Sequence, residues 1–244
     1  MSGVDWLRAD WQVGDAVIGG CTYRSGGVST GPYTSLNLGA HVDDDPAHVG
    51  ENRRRFVEAC GLPAEPAWLT QVHGVDVAIE PASGDVADAA LSRSPGTVCA
   101  VLIADCLPVL LATADGREVA AAHAGWRGLA AGVLERTVRA FESPPRSLHA
   151  WLGPAISQDA FEVGDEVREA FLESDSGAAA CFQANAAGRW QADLYELARR
   201  RLLTSGVTRV SGGGLCTAGS RDLFFSYRRD GQCGRMACFV KCAG

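Results

Sequence analysis

The sequence predicts an α+β fold, a mixed α/β arrangement with mixed sheets, formed by a single domain over residues 1–244. The first observation is that β-branched apolar runs and segments of helical periodicity are intermingled along the chain. They lack the regular alternation of a doubly wound parallel sheet, which favours the mixed arrangement. The second observation is composition: 47% apolar and 21% charged residues in a chain of 244 are typical of one globular domain with a large core.

The N-terminal quarter of the chain predicts a strand, a long loop and a helix. The strand is Ala16–Thr22, and the loop is Arg24–Gly39, which is dense in Gly, Ser, Thr and Pro. Asp45 is a candidate N-cap for the helix, Pro46 suits its first position, and Gly61 predicts its end. Long loops of this kind in compact domains are often functional.

The central part of the chain predicts mainly β-structure. Thr97–Ile103 is a continuous apolar run rich in β-branched residues, which predicts a buried strand. Asp115-Gly116 predicts the turn of a hairpin, and His123 then falls just past the end of the second hairpin strand. The other segments predicted to be extended are Trp68–Val72, Val75–Ile79, Pro108–Ala112 and Glu118–Ala122.

The C-terminal half predicts three helices and three strands. Apolar residues at helical spacing predict helices over Trp126–Phe141 and Val163–Leu172. A third helix is predicted over Leu194–Leu203, with Asp193 as N-cap and Gly206 at its end. The predicted strands are Val207–Ser211, Phe224–Tyr227 and Met236–Val240.

Charge and hydropathy exclude several classes of partner. A net charge of −7 argues against nucleic-acid binding, which requires a basic patch. The apolar stretches are too short to span a bilayer, and residues 1–15 contain no apolar signal region. The nine cysteines are an odd number without a secretory signal, which favours reduced thiols without disulfides. We therefore predict a soluble cytoplasmic protein.

Three short motifs indicate a catalytic centre. His73, Cys106 and His123 each stand at the edge of an apolar run, beside glycine or close to proline. Two imidazoles and one thiolate are a suitable ligand set for Zn²⁺ with a fourth position left open. The same residues would also serve as a Cys–His nucleophile pair. Residue types alone leave both alternatives open.

Two segments are candidate anion sites. Gly125–Gly128 opens a predicted helix, where free N–H groups and the helix dipole attract anions, and Arg127 there could add a bidentate contact to phosphate. Ser226–Gly231 places Arg228 and Arg229 on a predicted turn, which would form a second anion clamp.

Ordered motifs along nearly the whole chain resemble those of the YfiH family, also described as peptidoglycan-editing factors or laccase-like polyphenol oxidases. Many motifs in the same order make this resemblance highly specific. The matching segments are Arg24–Ser29, Gly31–Tyr33, Ser35–Gly39, Glu51–Arg53, Gln71–Gly74, Ala104–Cys106, His123–Gly128, Leu152–Ile156, Cys216-Thr217, Phe225–Arg229 and Gly234–Ala237.

The resemblance implies a mononuclear Zn²⁺ site with His73, Cys106 and His123 as ligands. It implies phosphorolysis of adenosine, inosine and S-methyl-5′-thioadenosine, and hydrolytic deamination of adenosine. It further implies a link to the fidelity of peptidoglycan precursors, and thus cell-wall precursor enzymes as partners. The implied fold is a layered α/β/β/α catalytic domain, similar to that of toxin-type deamidases that use a Cys–His pair.

Further residues are candidates for roles in this chemistry. The candidate catalytic residues are Cys106, His123, Asp105 and Arg127, and Asp105, adjacent to a ligand, is expected to orient a histidine or a water molecule. The residues expected to bind the nucleoside or phosphate are Arg24, Asn37, Gln71, Arg127, Ser226, Arg228 and Arg229.

Three competing hypotheses remain. In a Cys–His hydrolase of the amidase or deamidase type, Cys106 would be the nucleophile and His123 the base. A multicopper oxidase would need many more histidines than the five present. A non-enzymatic cell-wall partner would hold a structural zinc, and structural zinc normally has four protein ligands.

Overall fold

Two β-sheets pack face to face, and helices cover their outer sides, so that the layers follow the order α/β/β/α. The computed structural model describes residues 3–242. The strands are β1 (Trp6–Arg8), β2 (Ile18–Thr22), β3 (Val77–Ile79), β4 (Ala89–Ser92), β5 (Val98–Ile103), β6 (Leu107–Thr113), β7 (Val119–Ala124), β8 (Leu148–Leu152), β9 (Glu162–Val163), β10 (Phe182–Ala184), β11 (Trp190–Ala192), β12 (Arg209–Gly212) and β13 (Met236–Lys241).

Six α-helices lie within the described residues. They are α1 (Pro46–Ala59), α2 (Trp126–Ala131), α3 (Val133–Ala140), α4 (Asp165–Leu172), α5 (Leu194–Thr204) and α6 (Tyr227–Asp230). Short 3-10 helices cover Gly31–Tyr33, Pro145–Ser147, Gln158–Ala160 and Ser176–Cys181. Within residues 3–242, no helix is both long enough and apolar enough to cross a membrane.

The larger sheet has six strands in the order β12-β8-β6-β7-β4-β3. Its two outermost pairs, β12 with β8 and β3 with β4, are parallel, and the inner pairs are antiparallel. The second sheet, β1-β2-β13-β5, is antiparallel throughout. A third, small antiparallel sheet has the order β10-β11-β9. The mixture of helices with mixed and antiparallel sheets confirms the predicted fold class.

Alternating side chains of the central strands divide the interior into three cores. In β6, Val109 and Leu111 point to the core beneath α2–α5, whereas Leu110 points between the sheets. In β13, Cys238 also faces the core between the sheets, and Phe239 points the other way, towards α1. Because successive strand residues face opposite sides, buried sheets of this kind read as continuous apolar runs.

The helix predicted over Trp126–Phe141 is interrupted. Gly132 has a φ of 99°, in the left-handed region, so that it ends α2 and begins α3. The apolar residues keep helical spacing across Gly132 because both helices pack on the same face of the six-stranded sheet. The sequence pattern therefore gives no sign of the interruption. The predicted helix over Leu194–Leu203 is confirmed, and the Asp193 side chain caps it by accepting from the N–H of Glu196.

The strand predicted over Phe224–Tyr227 is wrong. Phe224 and Phe225 are fully buried without forming a strand, and Ser226 caps the short helix α6 by accepting from the N–H of Arg229. Trp68–Val72 is not a strand either, and only an isolated bridge joins Thr70 to Val86. Strands β4 and β8 were not predicted, and both lie inside the larger sheet.

The link between β5 and β6 carries the chain from one sheet to the other. It spans three residues, Ala104, Asp105 and Cys106, and Asp105 adopts a φ of 91°. Backbone strain of this kind persists only where the surrounding structure holds it. The crossover therefore places Cys106 at a defined point where the two sheets diverge.

Candidate functional site

His73, Cys106 and His123 converge at the crossover between the two sheets. His73 comes from the loop before β3, Cys106 from the β5–β6 link, and His123 from the penultimate position of β7. Their ligand atoms all lie within 4.8 Å of one another, and Cys106 Sγ is 4.0 Å from His73 Nε2. The two imidazole rings meet edge to face, with centroids 4.8 Å apart. The structure thus brings together three residues that are up to 50 positions apart in the sequence.

Gly125 leaves the space that this cluster occupies. A Cβ atom at position 125 would lie 2.9 Å from Cys106 Sγ, 3.2 Å from His73 Cδ2 and 3.5 Å from His123 Cε1. All three side chains therefore pack against the backbone of Gly125, just before α2. A side chain at this position would displace the groups that could hold a metal ion.

The cluster favours a thiolate beside an imidazolium when no metal is bound. Burial raises the pKa of the Cys106 thiol, but His123 and His73 outweigh it and lower the pKa to about 6. Burial likewise opposes the charged form of His123, but Cys106 and Asp88 raise the pKa of His123 to about 9. A thiolate is the form of cysteine that binds metals and acts as a nucleophile.

Asp88 holds the His123 side chain and the backbone around His73 in place. Its Oδ1 lies 2.8 Å from His123 Nδ1, and its carboxylate accepts the N–H groups of Val72 (3.1 Å), His73 (2.9 Å) and Gly74 (2.6 Å). This contact turns Nε2 of His123 towards the cluster, because Nδ1 is already engaged. Sequence reasoning missed Asp88, although a carboxylate within the apolar run 86–91 is a signal of a buried polar contact.

We expect Asp88→Asn to weaken metal binding roughly ten- to hundredfold, the usual cost of losing a carboxylate that orients a ligating histidine. The asparagine amide has one acceptor oxygen, whereas the four donors named above share the two oxygens of the Asp88 carboxylate. Competition with a chromogenic chelator measures the change. Asp76→Asn is the matched control, because the Asp76 side chain is exposed and makes one surface ion pair with Arg136. Equal affinity for both variants would contradict the orienting role.

Gln71 and Asp105 act on the backbone around the cluster. The Gln71 amide donates to the oxygen of Leu102 (2.9 Å) and accepts from its N–H (2.7 Å), so that it pairs with the free edge of β5. Gln71 also lines the cavity described below. The Asp105 carboxylate accepts from the Thr217 hydroxyl and from the N–H of Arg228. The contact with a histidine that we expected of Asp105 is made by Asp88.

The four arginines predicted to bind phosphate make contacts with the protein itself. The guanidinium groups of Arg24, Arg228 and Arg229 donate to main-chain oxygens, which link distant loops. Arg127 is exposed and stacks over Trp126, with its guanidinium 4.4 Å from the ring centroid.

Two polar residues in that predicted set are buried. Ser226 caps α6, as described above. Asn37 binds both Gly39 and the N–H of Arg235. Both side chains therefore organise the backbone near the site.

A cavity of about 670 Å³ opens beside His73, Cys106 and His123. Trp68, Tyr227 and the apolar residues of β5 form much of its wall, which suits a planar organic ligand. Sequence reasoning missed its basic residues, which come from the loop after Gly39, from α1 and from the position just before β13. Its lining residues are Ala40, His41, Arg53, Trp68, Leu69, Thr70, Gln71, His73, Leu102, Ile103, Ala104, Cys106, His123, Tyr227 and Arg235.

Comparison with known families shows a match over nearly the whole chain. A family model described as "Multi-copper polyphenol oxidoreductase laccase" matches residues 19–243. These residues include all three members of the His–Cys–His cluster and both sheets except β1 and the start of β2.

Curated bacterial proteins are also similar to the chain. An Escherichia coli K12 protein named purine nucleoside phosphorylase YfiH is 56% identical over 220 residues, which cover 89% of this chain and 90% of that protein. A Pseudomonas aeruginosa protein named purine nucleoside phosphorylase PA4543 is 53% identical over 237 residues, 96% of this chain and 97% of that protein.

Solved structures share the fold. The Neisseria meningitidis protein NMB0706, described as a member of the DUF152 family, superposes with a TM-score of 0.94 at 48% identity, covering 98% of this chain and 99% of that chain. YlmD from Geobacillus stearothermophilus superposes with a TM-score of 0.90 at 31% identity, covering 100% of this chain and 98% of that chain. A likeness to toxin-type deamidases is not tested by these structures and stays a prediction.

Proposed function

The chain belongs to the multi-copper polyphenol oxidoreductase laccase family, as its motifs predict, and on that basis we propose that it is a zinc-dependent purine nucleoside enzyme. Its reactions are phosphorolysis of adenosine, inosine and S-methyl-5′-thioadenosine, and hydrolytic deamination of adenosine. The relatives named purine nucleoside phosphorylase support the reaction class. The convergence of His73, Cys106 and His123 beside an aromatic cavity is the observation that carries the proposal.

The donor set fits Zn²⁺. Two imidazole nitrogens and a thiolate sulfur, with one side open to the cavity, match a catalytic site with three protein ligands. When bound, Zn²⁺ acts as a Lewis acid and lowers the pKa of a water molecule. Within residues 3–242 this cluster contains no fourth His, Cys, Asp or Glu, which supports a catalytic rather than a structural ion.

The residues of the chain would contribute positioning and charge to phosphorolysis. A phosphate oxygen forms a bond to C1′ of the ribose as the C1′–N9 bond breaks, and the bonding pair leaves with the purine. The proton of HPO₄²⁻ ends on the purine, so that the products are the free base and ribose 1-phosphate, or 5-methylthioribose 1-phosphate from S-methyl-5′-thioadenosine. Trp68 and Tyr227 in the cavity wall can hold the base by stacking. Deamination would use the same cavity, but a water oxygen would bond to C6 of adenine as the C6–N bond breaks, and ammonia would leave.

We further propose that residues 1–244 form one catalytic domain. The strands on either side of Cys106 belong to different sheets, and those sheets share a core, so that neither sheet can carry the site alone. A role in peptidoglycan precursor fidelity, with cell-wall precursor enzymes as partners, is proposed from the family resemblance.

A chromatographic assay tests the reaction. Purified zinc-loaded protein is incubated with adenosine, inosine or S-methyl-5′-thioadenosine, with and without phosphate. We expect free base only when phosphate is present, and inosine from adenosine in either case. The absence of base from all three nucleosides in the presence of phosphate would refute phosphorolysis.

A second candidate is a Cys–His hydrolase of the amidase or deamidase type. The arrangement Cys106–His123–Asp88 favours it, because a thiolate, an imidazole and a carboxylate in sequence form a nucleophilic triad. A thiolate held by zinc is not a free nucleophile, so the two functions exclude one another. Amide hydrolysis that survives complete removal of metal would support the hydrolase.

The lowered pKa of Cys106 has a measurable consequence. In metal-free protein we expect iodoacetamide to alkylate Cys106 rapidly at pH 7, and the rate to fall as the pH decreases through about 6, because the thiolate is then protonated. Peptide mass spectrometry follows each thiol separately. Cys60 is an internal control, since burial raises its pKa to about 12. Added Zn²⁺ should protect Cys106, and a Cys106 profile with a midpoint near 9 would contradict the charge arrangement.

A further inference from the structure

The cavity has a basic wall in an acidic protein. Two arginines and three histidines line it, and no Asp or Glu of the described residues does so. The whole chain carries a net charge of −7, so this wall differs in sign from the average surface. Its two arginines attract anions, and among the described residues only Arg53 of the two has an acidic partner, Glu65 at 3.5 Å.

Arg235 presents free donors there. Its guanidinium hydrogen bonds within residues 3–242 all run from Nη1, chiefly to the oxygens of Cys233 (2.8 Å) and Gly234 (3.1 Å). Nε and Nη2 therefore remain available for a ligand. Two adjacent guanidinium N–H groups match the geometry of phosphate or carboxylate oxygens.

The backbone around Arg235 is fixed by a residue of the long N-terminal loop. Asn37 Oδ1 accepts from the N–H groups of Arg235 (2.9 Å) and Gly39 (3.0 Å), and Arg235 O accepts from the N–H of Leu38. These bonds hold the start of β13 against the loop that carries His41. A Cβ atom at Gly39 would lie 2.8 Å from Arg235 Cγ and 3.4 Å from His41 Cε1, so the two side chains approach the same point.

His41 and Arg53 complete the wall. Partial burial lowers the pKa of His41, and the charges of Arg235, Arg53 and His123 lower it further. Arg53 is held in place: it donates to the oxygen of Leu38, pairs with the half-exposed Glu65 at 3.5 Å and stacks over Trp68 at 4.3 Å. It therefore supplies fixed positive charge, whereas Arg235 keeps free donors.

We propose that Arg235 and His41 bind the phosphate co-substrate, with Arg53 as a fixed neighbouring charge. The inference rests on the proposed phosphorolysis and identifies which residues serve it. The nucleoside would then lie between this basic wall and the His–Cys–His cluster, since both line one cavity. Arg127, the phosphate ligand expected from the sequence, is not among the described residues that line the cavity.

Phosphate kinetics test the proposal on the zinc-loaded full chain. We expect Arg235→Gln to raise the KM for phosphate by roughly ten- to hundredfold, the effect of one charge-assisted contact. The KM for nucleoside and the zinc content should change little. Arg235→Lys keeps the charge but not the bidentate hydrogen-bonding geometry, so we expect an intermediate KM for phosphate. This variant replaces Arg235→Gln if the latter does not fold.

The controls are arginines outside the cavity wall. Arg139→Gln removes an exposed arginine from a separate surface depression and should leave the KM for phosphate unchanged. Arg127→Gln tests the expectation from the sequence that Arg127 binds phosphate, and its KM for phosphate is compared with that of Arg235→Gln. An unchanged KM for phosphate in Arg235→Gln, or the larger rise in Arg127→Gln, would overturn the proposal while leaving phosphorolysis intact.

Direct titration separates this inference from the proposed function. Inorganic phosphate is added to each zinc-loaded protein without nucleoside, and binding is followed by calorimetry. We expect weaker binding only in the Arg235 and His41→Gln variants. If the parent chain cleaves no nucleoside, phosphorolysis fails, and the titration still decides whether Arg235 binds phosphate. Equal phosphate binding by parent and Arg235→Gln would refute the site in either case.

Discussion

Cys106→Ala is expected to abolish both zinc binding and nucleoside turnover. Alanine removes the one sulfur ligand of a three-residue cluster, and two imidazoles alone hold zinc weakly. The loss should exceed the roughly ten- to hundredfold effect of changing a partner of a ligand. Metal analysis after dialysis and the nucleoside assay measure the two losses on one preparation.

Cys216→Ala is the matched control for this change. Cys216 is partly exposed like Cys106, and its sulfur accepts from the Ser157 hydroxyl and the N–H of Gly219, outside the cluster. We expect this variant to keep its zinc and its activity. Full zinc content and turnover in Cys106→Ala would show that Cys106 is not a ligand.

Gly125→Ala is expected to damage the site without removing any ligand. The added Cβ would lie 2.9 Å from Cys106 Sγ, closer than real Cβ contacts allow, and the short cysteine side chain has little room to retreat. Overpacking of this kind costs about 1–3 kcal/mol. At ~1.4 kcal/mol per decade, zinc affinity should fall roughly five- to hundredfold.

Gly50→Ala provides the control for a glycine change. Position 50 lies within α1, and a Cβ there meets no atom within 4 Å. We expect unchanged zinc affinity and slightly higher thermal stability, because alanine favours the helix. Thermal unfolding in both variants shows whether a weaker site in Gly125→Ala is local. Equal zinc affinities in the two variants would mean that the cluster tolerates a side chain at position 125.

Signals confined to a few consecutive residues were sufficient for several elements. Asp45 with Pro46, and Asp193, mark helix starts whose caps form as expected. Asp115-Gly116 marks the β6–β7 hairpin, because the turn depends on its own residues. The spacing of apolar residues did not reveal the break at Gly132, since the two helices that flank it pack on the same face of the six-stranded sheet. It also misassigned Phe224 and Phe225, whose burial depends on tertiary packing.

The sequence by itself determined the fold class, the family and the three residues that form the cluster. Each of these depends on local motifs, and His73, Cys106 and His123 carry side chains whose chemistry is recognisable wherever they stand. Only the tertiary structure decided which charged groups accompany them. Asp88 reaches His123 across paired strands, and Arg235 and His41 meet at Gly39 although nearly 200 residues separate them. The sequence does not distinguish an arginine that binds a main-chain oxygen from one that faces a cavity. Long-range packing of the sheets and loops determines which guanidinium donors remain free.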